Sequence, residues 1–426
     1  MAGVLGFDDA MEVVRTRALD AGLRARAVRG QAPTEEVKLL DARGRVLAEA
    51  VSADRDQPAF DRATRDGFAV RAEGVTGEGV TGEAGFRVIG EVRAGERWGG
   101  PEIGAGEAVA IMTGAPMPWG ADAVMMVEHV READGWVRVE GGRTPRAGEN
   151  VVPRGAEARA GEAVLAAGTP MDAAEVALAA SCGRSMLPVY ARPMVAIVAT
   201  GDELVEVDAA PEEWQIRNSN SYGLAALVAG TGGWPGRLER ARDLREEVWE
   251  RVAQGRMWDL LLFSGGVSMG KYDLVEEVLA EFGAEFFFTG VKMQPGKPVV
   301  FGRLPAREGD GGGRECLFFG LPGNPVSTEV TFHCFVKPLL RVLAGAGWEE
   351  PRFVQATLAE DAAGKAGLMR LLPARLTYDR ARPEVRLVGW KGSGDLHANA
   401  RANCYAALPG DVEEFRAGDV ISVLLR

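Results

Sequence analysis

The sequence predicts an α/β protein of several domains, with a doubly wound parallel sheet at its centre and β-rich regions before and after it. Short apolar runs at 195–199 (VAIVA), 260–263 (LLLF) and 316–319 (CLFF) have the length and composition of strands covered on both faces, as parallel strands are. Each run ends in a glycine turn, and helix-period segments alternate with the runs from 193 to about 346, as in a doubly wound sheet. At 426 residues the chain exceeds what one hydrophobic core serves, so further domains are expected on either side.

In chain order, residues 7–21 (FDDAMEVVRTRALDA) form an amphipathic helix opening at Asp8, with Ala10, Val13, Val14 and Ala18 on its apolar face. Residues 37–51 read as a strand, a turn at Ala42-Arg43-Gly44 and the start of another element. The polar stretch 58–70 (PAFDRATRDGFAV) is a loop leading into a strand, and on composition alone its acids are turn formers. From 71 to about 150, β-type runs at 86–92, 108–112, 123–127 and 136–139 alternate with glycine turns, which describes a small β domain. A Thr-Gly turn bounded by prolines (IMTGAPMP, 111–118) lies inside it. Residues 172–180 are helix-like and stop before Gly183. In the central region the order is strand at 195, helices at 221–229 and 244–254, strand at 260, helix at 274–282, strands near 286 and 299, strand at 316 and helix at 326–343. Past Trp348, β-type runs return at 353–358, 369–378, 385–390 and 419–425, the mark of a compact C-terminal β domain. The glycine-rich 307–314 (REGDGGGR) reads as a flexible hairpin tip.

Composition narrows the function. A net charge of −12 argues against general nucleic-acid affinity, so a small anion would be held by local lysines, arginines and backbone donors. Cys182, Cys316, Cys334 and Cys404 lie far apart and His129, His333 and His397 are isolated, so no zinc, iron–sulfur or disulfide framework is expected, which fits a reducing cytoplasm. There is no long apolar run, and Asp8, Asp9 and Glu12 stand where a signal peptide carries positive charge. A cytoplasmic protein without membrane contact is expected.

In a parallel sheet the turns after the three apolar strands emerge on one edge, where open α/β folds place their ligands. Ser264-Gly265-Gly266 admits backbone conformations that let several N–H groups converge on an anion. Thr200-Gly201-Asp202-Glu203 and Gly320-Leu321-Pro322-Gly323-Asn324-Pro325 share the design, although each alone also reads as a tight connection. Glu203 and Asp273 each follow such a turn, so their carboxylates are candidates for a hard cation, which takes one or two carboxylates with phosphate oxygens and water. A helix cap is the plainer reading of Asp273 and suits Glu203 poorly.

Two other motifs compete. Residues 266–270 (GVSMG) match G-x-S-x-G, the nucleophile elbow, but Ser264-Gly265 lengthens the turn. The histidine that Ser268 would need is either His333, in a helix-like segment, or His397, in another domain, so a serine hydrolase is the weaker reading. Residues 290–298 (GVKMQPGKP) miss the phosphate-loop spacing, with five residues between the glycines and Pro298 where Ser or Thr should bind magnesium. Pro-Gly-Lys-Pro still holds Lys297 on a rigid turn, where its charge can meet an anion.

The set TGDEL (200–204), SGGVSMGKYD (264–273), QPGKP (294–298) and GLPGNPVS (320–327) resembles the MoeA family, molybdopterin molybdenumtransferases related to the E domain of gephyrin. FDRATRDGFAV (60–70) is similar to that family's FDNSAMDGYAV, IMTGAPMP to its IMTGAPVP, and GSGDLHANARAN (392–403) to its GSG-x-L-x-x-L-A-x-A-N, so the likeness covers nearly the whole chain. The resemblance implies an elongated linking domain from 1–50 and 151–190, a β-rich inserted domain at 51–150, a three-layer α/β domain binding nucleotide or molybdopterin at 191–346, and a small C-terminal β domain at 347–426. It also implies a reaction: adenylylated molybdopterin and molybdate bind, the phosphoanhydride is cleaved with Mg2+, AMP leaves, and the dithiolene ligates molybdenum.

The same resemblance distributes roles. Thr200, Gly201, Ser264, Gly265, Gly266, Ser268, Pro295, Gly296, Pro322, Gly323 and Asn324 surround the ligand. Glu203 and Asp273 hold the metal, and Lys297 with Arg370 and Ser393 holds oxyanions. Asp66 and Thr113 act in the same cleft from the β domain of a partner subunit, which implies a homodimer, with a MogA-like molybdopterin adenylyltransferase as substrate donor. The chain departs from the family at Arg65 and Phe68 (Met and Tyr), Ala156-Glu157 (Glu-Asp), His397, Asn399 and Gln294. Gln294 replaces a common lysine, keeps no charge, and is left out of the expected anion site. The rival reading is a non-catalytic scaffold, as in gephyrin's anchoring role; intact Glu203, Asp273 and Lys297 favour turnover.

Overall fold

The computed structural model describes residues 3–28, 33–75, 85–140, 145–267, 274–306, 315–378 and 382–426. The expected hairpin tip at 307–314 lies outside them, as do Ser268 and Asp273. The chain divides into two compact units, residues 1–49, 168–173 and 186–426 in the first, and 50–167 with 174–185 in the second.

The first unit opens with helix α1 (Phe7–Val28), longer than its apolar stripe required, which buries Ala10, Met11, Val14 and Ala18. A six-stranded sheet follows, made of β1 (Met194–Ala199), β2 (Trp234–Arg237), β3 (Leu260–Ser264), β4 (Glu285–Phe288), β5 (Val300–Leu304) and β6 (Cys316–Leu321), in the order β2-β1-β3-β6-β5-β4. The period of two along each strand sorts side chains into two cores. Val195, Ile197, Leu260, Leu262, Leu317 and Phe319 enter one, while Ala196, Val198, Leu261, Phe263, Cys316 and Phe318 enter the other. Helices α2 (Asn220–Gly230), α3 (Arg245–Gly255) and α4 (Leu274–Glu281) complete the layers between the strands. The result is the expected three-layer α/β arrangement.

The sheet is mixed rather than wholly parallel. β5 runs antiparallel to β4 and β6; residues 289–299 between β4 and β5 carry two short strands, Gly290–Val291 and Met293–Gln294, and no helix to make a crossover. The reversal has a useful consequence: β5 starts where β6 ends, with Val300 opposite Gly320, so the loop carrying Lys297 enters the sheet at the edge where the glycine turns leave it.

The helix expected over 326–343 is divided. Pro325–Thr331 (α5) and Lys337–Leu343 (α6) flank a π-helical turn at Phe332–Val336. Pro338 has no N–H to donate to Cys334 four residues back, and its ring crowds that carbonyl, so a widened turn ahead of it relieves both problems.

Past the α/β region, Met369–Tyr378, Pro383–Leu387, Phe353–Leu358, Val420–Leu425 and Cys404–Leu408 pair in that order, and Met369–Tyr378 also pairs with Cys404–Leu408, which closes a small barrel. The strand at 385–390 expected from sequence begins earlier and stops at Leu387. Met293–Gln294 adds to the barrel, with Gln294 beside Arg370. The helix Leu396–Arg401, capped by Asp395 accepting from Ala398 N at 2.9 Å, and the buried strand Cys404–Leu408 were not anticipated.

The second unit contains a six-stranded sheet ordered Ala123–Met126, Gly67–Val70, Glu107–Ile111, Phe86–Val92, Trp136–Val139, Val130–Ala133, antiparallel except between Glu107–Ile111 and Phe86–Val92. A Cβ on Gly67 would sit 1.8 Å from Met125 O, so the strand after Asp66 has room only for glycine there. All four cysteines are buried and unbonded to one another, and no helix among the described residues is long and apolar enough to cross a membrane.

Candidate functional site

β1 and β3 are neighbours, yet the chain leaves β1 toward β2 on one side and leaves β3 toward the other. That is a topological switch point, where connections diverge and leave a crevice beyond the strand ends. A cleft of about 580 Å³ lies there, walled by the turns after β1, β3 and β6, by residues 216–220 leading into α2, and by Gly394 and Leu396. Thr200, Gly201, Glu203, Ser264, Gly265, Gly266, Gly323 and Asn324 line it.

The turns are locked to each other. Thr200 N donates to Ser264 O at 3.0 Å, and Gly265 N donates to Leu321 O at 3.0 Å. At Gly265, φ is +97° and a Cβ would lie 2.6 Å from Thr200 O. At Gly266, φ is +65° and a Cβ would lie 2.8 Å from Thr200 Oγ1. Side chains at either position would force the turns apart.

Asn220 was not picked out from sequence, and it ties the cleft together. From the start of α2 its Nδ2 donates to Ser264 Oγ at 2.8 Å and to Gly323 O at 2.7 Å, with Thr328 Oγ1 at 3.3 Å. A side-chain amide has two hydrogens, so the first two contacts use its donor capacity and the third is shared. One side chain therefore fixes the β3 and β6 turns against α2. The sequence signal was a polar run, Arg217-Asn218-Ser219-Asn220, ahead of an apolar helix, which reads as a cap. Neighbouring Asn218, 3% exposed, accepts from Ser221 N at 3.3 Å.

Thr200 Oγ1 is buried with no hydrogen-bond partner among the described residues. Such a hydroxyl is costly unless something pairs with it, and Thr200 is among the residues that line the cleft. The exposed Glu203 carboxylate turns back over Gly201, with Oε2 2.5 Å from where a Cβ on that glycine would sit. Among the described residues no group of three His, Cys, Asp or Glu side chains forms a protein-only metal cage. The donors present are oxygens, a carboxylate and a hydroxyl beside a phosphate-type cradle. That set fits magnesium, which keeps waters and shares its ligands with substrate phosphates.

Other expected residues stand outside the cleft lining. Pro322 O accepts from Thr328 Oγ1 at 2.6 Å, which holds the turn from behind. Ser393 O accepts from Val326 N at 3.0 Å at the start of α5, next to cleft-lining Gly394. Pro295 and Gly296 are buried, and a Cβ on Gly296 would sit 2.6 Å from Thr331 Cγ2, so this loop packs on α5 and leaves Lys297 exposed. Arg370 is half-buried with Nη1 bonded to Ala363 O. Its Nε and the Oε1 of adjacent Gln294 are both buried without partners among the described residues, and burial lowers the Arg370 pKa.

Asp66 and Thr113 belong to the second unit. Thr113 donates to Asp66 Oδ1 through N at 2.7 Å and Oγ1 at 2.8 Å, and these bonds hold the Asp66 carboxyl below its ordinary 3.8. Both residues are exposed. His333 is buried in the π turn with Nε2 3.6 Å from Glu329 Oε1 and does not line the cleft; His397 is exposed.

Fold and cleft together define an α/β protein with a cleft of glycine turns at a sheet switch point, a closed β barrel in the same unit and a separate β-rich unit. The MoeA N-terminal region (domains I and II) matches residues 5–183, a probable molybdopterin binding domain matches 196–342, and the MoeA C-terminal region (domain IV) matches 355–425. The molybdopterin molybdenumtransferase of Nostoc sp. is 36% identical over 394 residues, covering 89% of this chain and 86% of the relative. That of Staphylococcus aureus (strain COL) is 33% identical over 395 residues, covering 92% and 91%. The crystal structure of the molybdopterin biosynthesis MoeA protein from Pyrococcus horikoshii OT3 superposes with a TM-score of 0.76 at 28% identity, covering 99% of this chain and 100% of that one. The chain belongs to the MoeA family, whose curated members are transferases.

Proposed function

We propose that this protein inserts molybdenum into adenylylated molybdopterin in the switch-point cleft, with release of AMP. The observation that carries the reading is the set of three glycine turns around one cleft, two fastened by Asn220 and the third by Thr200 N on Ser264 O, with an unpartnered Thr200 hydroxyl and the Glu203 carboxylate among its lining residues. Backbone N–H groups of the turns and the start of α2 receive the phosphates, where converging dipoles favour negative charge. Lys297, Arg370 and Ser393 hold molybdate, the second substrate. Glu203 and Asp273 hold Mg2+; when bound it neutralises charge on the phosphoanhydride. Asp66, oriented by Thr113, acts from a partner subunit of a homodimer, and a MogA-like adenylyltransferase in the same cytoplasm supplies the substrate.

The test is incubation with adenylylated molybdopterin, molybdate and Mg2+ while following AMP. Release that depends on all three is expected. Binding of the adenylylated substrate without AMP release would instead support a scaffold. Asp273→Ala should leave the melting temperature near wild type and lower AMP release by on the order of a hundredfold or more, the scale of losing a charge-stabilising group.

A further inference from the structure

A second concavity, of about 140 Å³, shares no lining residue with the cleft. Four cationic side chains line it, Arg45, Arg192, Lys337 and Arg341, where the Gly44–Val46 turn, Tyr190 and the ends of α2 and α6 come together. Arg45 is 6% exposed and uses Nη2 on Glu35 Oε1 at 2.5 Å and Tyr190 O at 2.8 Å. Arg341 Nη2 pairs with Glu349 at 2.7 Å, but Glu349 also serves Arg352 at 2.8 Å. Arg192 and Lys337 have no hydrogen-bond or ion-pair partner among the described residues, and Arg341 Nε is buried with none. Two carboxylates thus answer four cations, in a chain whose net charge is −12.

Helix capping does not account for this charge. Carbonyls at the end of α6 are taken by Ala344 N, Gly345 N and Ala346 N, those at the end of α2 by Thr231 N, Gly232 N and Gly233 N, and neither Arg192 nor Lys337 donates to any of them. Burial, with the neighbouring Arg341 and Arg352 charges, pushes the Lys337 pKa down. Like charges crowded into a partly desolvated pocket destabilise one another, and an anion among them offsets that cost.

We propose that this concavity is a second oxyanion site, shaped for one small tetrahedral dianion of the phosphate class. Its volume of about 140 Å³ corresponds to a few waters at roughly 30 Å³ each and lies below the roughly 300 Å³ at which pockets for larger organic ligands begin. It therefore takes an inorganic oxyanion or a terminal phosphate group and leaves the nucleotide to the cleft. The inference stands independently of the reaction proposed there.

The test is calorimetric titration of the full-length protein with inorganic phosphate, and separately with molybdate, at matched ionic strength in chloride. The variants are Lys337→Gln and Arg192→Gln at the second site and Thr200→Val in the cleft. Affinity for at least one of the two anions should fall tenfold or more in both second-site variants and persist in Thr200→Val. The anion bound with that pattern identifies the source. Arg192 lies outside any helix or strand, in the connection before β1, so Arg192→Gln decides the matter should Lys337→Gln fail to fold. Equal affinity in wild type and Arg192→Gln, loss confined to Thr200→Val, or no binding of either anion overturns the proposal.

Discussion

Asn220 donates both amide hydrogens across the cleft, to Ser264 Oγ at 2.8 Å and Gly323 O at 2.7 Å, so its removal frees two turns at once. Asn220→Ala should lower kcat/KM for AMP release by about ten- to a hundredfold, the equivalent of one or two hydrogen bonds lost from a preorganised site. Asn220→Asp should do no better, because a carboxylate only accepts and Gly323 offers a carbonyl. Wild-type turnover in either variant would remove Asn220 from the positioning machinery. At Gly265, with φ at +97° and Thr200 O in the way, Gly265→Ala should abolish detectable binding of the adenylylated substrate, measured calorimetrically, while far-UV circular dichroism stays native. Local signals made the glycines, Thr200 and Ser264 readable in the sequence, since a turn after an apolar run declares itself. Asn220 was not, because its role exists only once three distant segments meet.

Elements obeyed the same division. The buried strands were legible from continuous apolar runs, but the reversal of β5 was not, because the connection before it has no periodicity of its own. The π turn at Phe332–Val336 has Pro338 as its only signal in the chain, and the flanking residues keep a helical pattern that masks it. This element ends in a buried polar network that the chemistry of the cleft does not use. Glu329 contacts Asn399 Nδ2 at 2.5 Å, the Arg426 guanidinium and His333 Nε2 at 3.6 Å. Burial alone would raise the Glu329 pKa, but His333 and Arg426 outweigh it and hold it below 4.5. Burial also depresses His333 below 6.5, helped by the positive charges of Lys337 and Arg426. For both groups the unfolded chain binds more protons, so their stabilisation is present above the unfolded value and is lost as pH falls through the folded one. The urea midpoint should therefore drop below about pH 6.5 as His333 is forced to charge, and again below about pH 4.5 as Glu329 protonates. Arg426→Ala should cost about 1–3 kcal/mol at pH 7, as expected for a hydrogen-bonded charge in a partly exposed pair, and should weaken the lower-pH loss by letting the Glu329 pKa rise. An Arg426→Ala midpoint equal to wild type at neutral pH would show that Arg426 does not stabilise this network.

For the whole molecule, length and the alternation of runs were enough to foresee an α/β sheet between β-rich regions, because each is a statement about local composition. Which segments join was beyond local pattern: Thr34–Lys38 pairs with Met186–Tyr190 across the entire second unit, and the linking region expected from 1–50 and 151–190 is shared between the two compact units. Pairing at such separation is set by tertiary packing, which leaves no period in the chain. The homodimer reading adds a further level, since it assigns Asp66 and Thr113 of one subunit to the cleft holding Glu203 of the other. Asp66→Asn and Glu203→Gln homodimers should each be nearly inactive. Mixed and reassorted, about half the dimers become heterodimers with one wild-type site of two, so AMP release should recover to about a quarter of the wild-type rate per subunit. A site built within one chain behaves otherwise, since every site in the mixture then carries one of the two lesions and no activity returns. Recovery that appears only after reassortment, followed by native mass spectrometry of differently tagged subunits, separates a shared site from a trace of wild-type protein.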